Sequence, residues 1–454
     1  MAGIFLALCL GIALTEKFGN MYLIFITPLI LISISVLSYE KNFKHQSKIL
    51  AAMLILSLIF SLRVFSVFTA PPLKSQIFKS EIGVITQVRN WGKFYVGILK
   101  TCDNKNFLMH MPFKNYVEGM RIKFTGITQP FKNNKNSGFN EFKYWRAKKV
   151  LGRISLYDVE NLEPEFNLYR LRYLISRWLS IYVPNLTGSY LKAALLGERD
   201  VNLNEQHARW GTSHLLAVSG FHVGILILCA SLFIKKNILL SVILWSYIFL
   251  TGAAASAVRA GLMLQTGILA RGLGRPVESI NSVCLAGVIL ILNSPYIFWD
   301  VGYRLSILAA LSICSILKKS DWWKISTLIF LTTYAEITSV FKTVPLAGII
   351  INFYAPLYFS FVFPLSVLGA LMLLLKIPLA NLILSSCENL FKLYAITSDA
   401  MVNILPFKIS YNKFFALLSV FVLVYLILTK LEFSKRRGLF ITILISLAVY
   451  FIFG

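Results

Sequence analysis

Residues 355–375 read APLYFSFVFPLSVLGALMLLL, 21 consecutive positions without a charge. At 1.5 Å per residue such a run crosses about 30 Å of hydrocarbon as a helix. Similar apolar stretches recur on both sides of it. They lie at about 1–14, 20–38 and 48–70 near one end, and at about 214–234, 238–255, 257–270, 279–294, 303–317, 324–340, 381–402, 413–430 and 438–453 in the rest. Hydrophobic residues make up 57% of 454 positions and charged ones 14%, and mean hydropathy is +0.70. One soluble core stops growing well below this length, so that much apolar surface needs another solvent. The expected fold is an α-helical polytopic membrane protein with about 10–13 transmembrane or re-entrant helices. Residues 1–14 lack a basic leader and a clear cleavage site and read as a retained anchor. Residues 344–354 are a re-entrant candidate, and 381–402 either spans or lies flat.

Between the two apolar blocks the texture changes. Apolar residues in 72–165 alternate with period two: Ile82-Val84-Thr86-Val88, Phe94-Val96-Ile98, Phe107-Met109-Met111, and Met120-Ile122-Phe124 opposite Arg121-Lys123-Thr125. Turn clusters at 89–92 and 103–106 punctuate them, which predicts a small inserted soluble β-barrel or sandwich, and a cytoplasmic loop with Lys41, Lys44, His45 and Lys48 places it outside the cytoplasm. This organises the chain as 1–71 (membrane helices), 72–165 (β domain), 166–186 (an amphipathic helix) and 187–454 (polytopic domain). In 166–183 (FNLYRLRYLISRWLSIYV), Arg170, Arg172 and Arg177 oppose Leu171, Leu174, Ile175 and Leu179, as in a helix lying in the headgroup plane.

Net charge is +25, from 45 Lys and Arg against 20 Asp and Glu. Basic connections at Lys235-Lys236, Arg271/Arg275, Lys318-Lys319-Lys324, Lys376 and Lys430/Lys435-Arg436-Arg437 fall on one side of the bilayer if 381–402 spans, which accounts for much of the excess. The β domain carries its own surplus, 16 Lys/Arg against 8 Asp/Glu. Lys132, Lys135, Lys143, Arg146, Lys148 and Lys149 are interleaved there with Tyr144 and Trp145, the mixture that serves phosphates and stacked bases in single-strand binders. The six cysteines form no CxxC pair, and five lie in apolar segments.

Ionisable groups inside apolar segments cost about 2.5–3.5 kcal/mol each on insertion scales, so they mark interiors or wet cavities. Arg259, Asp300, Arg304, Glu336, Glu388, Lys392 and Asp399 are such groups. The densest polar cluster is LLGERD (195–200) followed by GTSHLLAVSGFHVGIL (211–226), with Glu198, Arg199, Asp200, Ser213, His214, Ser219 and His222. Ser219 beside His214 and His222 invites a nucleophile–base reading, but no GxSxG elbow is present, and the spacing of the histidines matches no HExxH-type metal site. The residues give no catalytic set, no metal set and no cofactor. A lining of a polar pathway, helix packing, and a membrane enzyme or transporter for a lipid-linked or anionic substrate that uses His214 and His222 all remain open at this point. No GxxxxGK[ST] string is present, so any pulling force is external.

These motifs carry a resemblance. LLGERD with GTSHLLAVSGFHVGIL closely resembles the signature of the ComEC family of competence channel proteins. SAVRAGLM (256–263), NSPYIFWDVGYRLSILA (293–309) and NNKNSGFNEFKYWRAKKVLG (133–152) resemble further family strings in the expected order. The resemblance implies a multi-pass protein of the bacterial plasma (inner) membrane that passes single-stranded DNA inward during natural transformation. The β domain becomes an OB-like receiver of DNA, and Glu198, Arg199, Asp200, Ser213, His214, Ser219, His222, Arg259, Asp300 and Arg304 become pathway residues. It also implies as partners membrane lipid, a periplasmic or surface DNA receptor, a cytoplasmic helicase or ATPase motor, and a further copy of the chain in a homo-oligomer. Many members continue into a metallo-β-lactamase-like domain. The five histidines here offer no HxHxDH, so a short form without its own nuclease is expected. Arg304 stands where the family usually has Gln.

Overall fold

The computed structural model describes residues 2–18, 24–25, 43–69, 73–90, 95–111, 116–131, 140–163, 165–198, 200–316 and 322–430. The expected segments 20–38 and 438–453, the residues Phe94, Lys132, Lys135, Arg199, Lys318 and Lys319, and the basic group at 435–437 lie largely or wholly outside them. The chain divides into two compact units, one of 1–71, 265–340 and 411–454, the other of 72–264 and 341–410.

In chain order the elements begin with α1 (Ala2–Phe18) and α2 (Phe43–Phe68). There follow β1 (Ile77–Asn90), β2 (Tyr95–Thr101), β3 (Asn106–Met111), β4 (Arg121–Pro130), α3 (Glu141–Ala147) and β5 (Val150–Asn161). Next come α4 (Leu168–Tyr182), α5 (Asn185–Leu196), α6 (Val201–Trp210), α7 (Gly220–Phe233), α8 (Asn237–Leu250) and α9 (Ala255–Gly272). The remainder is α10 (Ser279–Asn293), α11 (Val301–Ser315), α12 (Trp322–Phe341), β6 (Thr343–Pro345), α13 (Ala347–Leu374), α14 (Ala380–Ile404), β7 (Lys408–Ser410) and α15 (Lys413–Lys430).

Strands β1 to β5 close into a barrel in the order β1-β2-β3-β5-β4, with β3 and β5 parallel and the other pairs antiparallel. The order is consistent with an OB-like fold. On β4 the alternation holds as read: Ile122 and Phe124 are buried and Lys123 is exposed. On β1 it does not. Register shifts between Phe78 and Glu81 and between Ile85 and Gln87 turn Ile85 into the core in place of the Ile82/Val84 face. A bulge bends a strand and reverses which side chains point inward, and period-two reading cannot see it. The interior is filled by Ile85, Leu99, Phe107, Met109, Met111, Ile122, Phe124 and Ile154. A second apolar layer lies under α3, where Val96, Leu108, Phe131, Trp145 and Val150 pack.

In the same unit α13 and α14 pack side by side, Phe359, Val362 and Phe363 against Leu384, Cys387, Phe391 and Tyr394. The short pair β6–β7 ties their outer ends, Val344 opposite Ile409. The segment read as re-entrant, 344–354, is therefore a short strand and the first turns of α13. In the other unit Phe5 of α1 packs on Gly287 of α10. There Ser312 and Thr332 share a hydrogen bond of 2.6 Å, and Ser419 donates to the Thr332 carbonyl at 3.1 Å.

Among the described residues one helix, α13 with 28 residues, is long and apolar enough to cross a membrane by itself. Seven shorter apolar helices of 10–17 residues accompany it. A 14-residue helix is only about 21 Å long. The apolar runs are shortened at their ends by turns, as at 213–219 before α7, where a 3-10 turn (Ser213–Leu215) replaces the expected first helical turns.

Candidate functional site

The signature 195–226 folds as short helices joined by polar caps. Gly197 (φ +70) and Gly211 (φ +72) end α5 and α6 in the left-handed conformation. Asp200 caps α6, its carboxylate accepting the Leu203 N–H at 3.0 Å. Glu198 accepts from the Ser176 hydroxyl at 2.6 Å. At the start of α7 the His222 Nδ1 accepts the Ser219 N–H at 3.4 Å and lies 3.2 Å from Ser219 Oγ. The Ser219–His222 pair is thus a helix cap between residues i and i+3. His222 is buried with its ring on Phe363, whereas His214 is exposed on the 3-10 turn beside half-buried Ser213. Among the described residues no three His, Cys, Asp or Glu side chains gather where they would hold a metal ion.

Two motifs separated by some forty residues meet here. From α9, Ser256 donates to the Val218 carbonyl at 2.5 Å. Three residues on, Arg259 is 8% exposed and lays its guanidinium on Gly220. A Cβ at Gly220 would sit 3.0 Å from Arg259 Nη2 and 3.2 Å from the Ala260 Cβ. SAVRAGLM therefore grips the VSG turn, and Arg259 is the buried cation of the signature. Asp300 and Arg304 lie in the other unit. Asp300 caps α11 by accepting the Tyr303 N–H at 2.8 Å. Arg304 pairs with Glu336 of α12 at 2.9 Å, a partner the sequence reading did not assign to it.

In the barrel unit, Trp145 is 1% exposed and stacks with Phe131 in the layer beneath α3. Its ring is a packing element, which corrects its assignment as a base-stacking platform. Tyr144 and Lys148 hydrogen-bond each other, with Lys148 Nζ 3.7 Å from the Tyr144 ring centroid. Arg146 lies 5.4 Å over Phe142. Lys143 is half-buried on α3, and Lys149 is exposed just beyond its end.

A buried polar network at α6 has no counterpart in the sequence reading. His207 is fully buried, with Tyr190 Oη 2.7 Å from its Nε2 and Thr212 Oγ1 2.9 Å from its Nδ1. Burial pushes this imidazole down to about 3, so it is neutral. Next to it Trp210 Nε1 donates to Asp399 at 2.9 Å, and Arg209 pairs with the same carboxylate at 3.3 Å. Glu388 accepts the Thr187 N–H at 2.8 Å and the Thr187 hydroxyl at 2.9 Å, capping α5. The signal for these was present, since Glu388 and Asp399 stood out in an apolar run, but their partners are about 200 residues away.

A helical chain with an inserted barrel and an apposed VSG/SAVRAGLM pair is of one recognisable class. The profile of the Competence protein family matches residues 195–436, more than half of the chain, and the chain belongs to that family. It is 27% identical over 362 residues to ComE operon protein 3 of Bacillus subtilis (strain 168), an alignment covering 72% of this chain and 46% of that one. It is 28% identical over 173 residues to the Uncharacterized protein MG316 homolog of Mycoplasma pneumoniae, covering 36% of this chain and 46% of the relative. The chain spans about half the length of the curated relatives it matches. No solved structure matches it.

Proposed function

We propose that this chain is a multi-pass protein of the bacterial plasma membrane that carries single-stranded DNA inward during natural transformation. The observation that carries the reading is the family signature folded as one site, the Val218–Gly220 turn held by Ser256 and Arg259. It lies in the same unit as a closed barrel whose α3 region bears Lys143, Tyr144, Arg146, Lys148 and Lys149. In this reading the barrel receives the strand by phosphate contacts, so binding is independent of sequence and falls with salt. Arg259 offers phosphate a buried cation at the signature, and the half-buried hydroxyls of Ser213 and Ser219 offer neutral hydrogen bonds. Glu198, Asp200 and Asp300 hold the helix ends that shape the path, and Arg304 works with its charge offset by Glu336. In this reading the shorter apolar helices cross the bilayer as well as α13. In this reading the chain acts in translocation rather than catalysis, and the Ser219–His222 pair serves as the cap at the start of α7. A surface receptor delivers the strand, a cytoplasmic motor pulls it, and copies of the chain assemble in the lipid.

The test is labelled DNA followed in strains with and without the gene, scored separately for surface binding and for entry. Loss of entry with surface binding intact is expected. Normal entry of the labelled strand in the deletion strain would refute the assignment.

A further inference from the structure

One turn of the barrel meets the helices of its own unit closely. Gly119, in the turn before β4, has φ +81 and sits so close to α4 that a Cβ would lie 2.4 Å from the Arg170 nitrogen. Its carbonyl accepts from Asn167 Nδ2 at 3.3 Å, and Asn167 is the N-cap of α4. Beside it stands Glu118, 6% exposed, whose Oε1 accepts the Val88 N–H of β1 at 3.3 Å. Facing Glu118 is Arg172 of α4, 3% exposed, not in the headgroup plane as its place on an amphipathic helix predicted. Arg172 Nη2 lies 3.8 Å from Glu118 Oε2 and donates to the Leu196 carbonyl at 2.7 Å. One residue past the Gly197 cap is Glu198, held by Ser176, four residues along α4 from Arg172. A single buried cation thus touches the barrel turn, the interfacial helix and the end of α5 where the signature begins.

An apolar contact would dock the barrel without the cost of taking two charges out of water. This pair regains little of that cost: 3.8 Å is too long for a hydrogen bond, and Glu118 Oε2 has no hydrogen-bond partner. The contact therefore depends on whether Glu118 carries its charge. We propose that Glu118 and Arg172 form a proton-dependent clasp that sets how firmly the barrel docks on α4 and the start of the signature. Its use in strand hand-over rests on the function proposed above, whereas the clasp itself does not.

The groups facing Glu118 are Arg172 and Tyr169 from α4, Glu198 from the end of α5, and Arg89 from β1. Burial is the largest influence and Glu198 adds to it, against Arg172, the Val88 N–H and Arg89. The carboxyl is pushed from its ordinary 4.5 up to about 7. Undocked and solvated, it returns to the ordinary value. The docked state therefore binds the proton more tightly, so docking is strongest below about pH 4.5, weakens as pH rises to about 7, and levels off above. A gap of that size is worth about two orders of magnitude in the docking constant.

Hydrogen exchange of the full chain in nanodiscs between pH 5 and 8.5, each rate referred to the intrinsic rate at the same pH, reads this directly. Protection of 116–121 and 168–173 should fall by roughly a hundredfold across that range, while that of 107–109 in β3 stays level. Glu118→Gln should abolish the fall. If that variant does not fold, Glu198→Gln decides, because removing a negative neighbour moves the fall to lower pH. A flat wild-type profile, a fall that persists in Glu118→Gln, an unmoved fall in Glu198→Gln, or a parallel fall in β3 each overturns the clasp. No DNA enters the measurement, so a failed channel assignment leaves the result standing.

Discussion

Replacing Lys143, Lys148 and Lys149 together by glutamine is expected to change the salt dependence of DNA binding by a calculable amount. All three belong to α3 or the two residues after it, and Lys148 is anchored on the Tyr144 ring at 3.7 Å. Each phosphate contact on a single strand contributes about 0.7 to the slope of log affinity against log salt. If all three lysines face phosphate, the slope becomes shallower by about 2, so between 50 and 200 mM salt the wild type loses about 20-fold more affinity than the variant. Tyr144→Ala should behave differently. It removes a stacking ring, worth about 1–3 kcal/mol per base, with the slope little changed apart from whatever Lys148 loses when its support goes. The assay is anisotropy of a labelled oligonucleotide titrated with the purified full chain at four salt concentrations, with near-UV circular dichroism as the check on folding. A folded triple variant with the wild-type slope would refute the reasoning, since these charges would then meet no phosphate.

Trp145→Ala removes a fully buried ring from the layer beneath α3 and should destabilise the barrel by about 3–5 kcal/mol, seen as a lower thermal midpoint and early proteolysis within 72–165. Glu336→Gln leaves Arg304 without its charge partner and should cost about 1.5–3 kcal/mol, while the Arg304→Gln/Glu336→Gln double variant recovers part of it; additive losses in that cycle would show that the 2.9 Å pair contributes nothing. Gly220→Val places bulk where a Cβ alone would already be 3.0 Å from Arg259 Nη2, and DNA entry should drop tenfold or more with surface binding unchanged. Arg259→Lys should fall in the same class, because an ammonium cannot lie flat on the VSG turn; equal entry in either variant would separate the two motifs.

The parts of this fold that follow local rules were legible. Residues 121–125 were assigned to the correct faces because β4 is regular, and the position of a barrel between two apolar blocks followed from periodicity. Ile82 and Val84 miss the core because two bulges, invisible to pattern, shift β1, whereas Val88 beyond the second bulge packs on it as read. Trp145 was placed among base-stacking rings because a basic, aromatic string reads alike whether its rings face water or a core. Arg172 shows the same limit from the other side. Helical spacing set it on a polar stripe, but the stripe is met by Glu118, some fifty residues earlier in the chain. Pairings such as Arg304 with Glu336 and Glu388 with Thr187 depend on how helices are juxtaposed, which no single segment encodes.

The polar density of the signature has a local cause. Helices α5, α6 and α7 have 12, 10 and 14 residues, so 197–222 contains four helix ends in little more than twenty-five positions. Every end leaves up to four N–H or C=O groups without an intrahelical partner. Gly197, Asp200, Gly211, Ser219 and His222 meet that demand, and Glu388 meets it for the start of α5 from across the unit. These residues then preserve the backbone course of the turns, and substituting them misplaces the turns before it removes any ligand contact. Arg259 stands apart. Its Nη1 lies 3.8 Å from Met263 Sδ on its own helix, and its guanidinium rests on Gly220 at the N-terminal end of α7, where the helix dipole disfavours a cation. As the buried cation laid on the Val218–Gly220 turn, Arg259, more than the histidines or the acids, is the residue on which the proposed passage of phosphate should be tested.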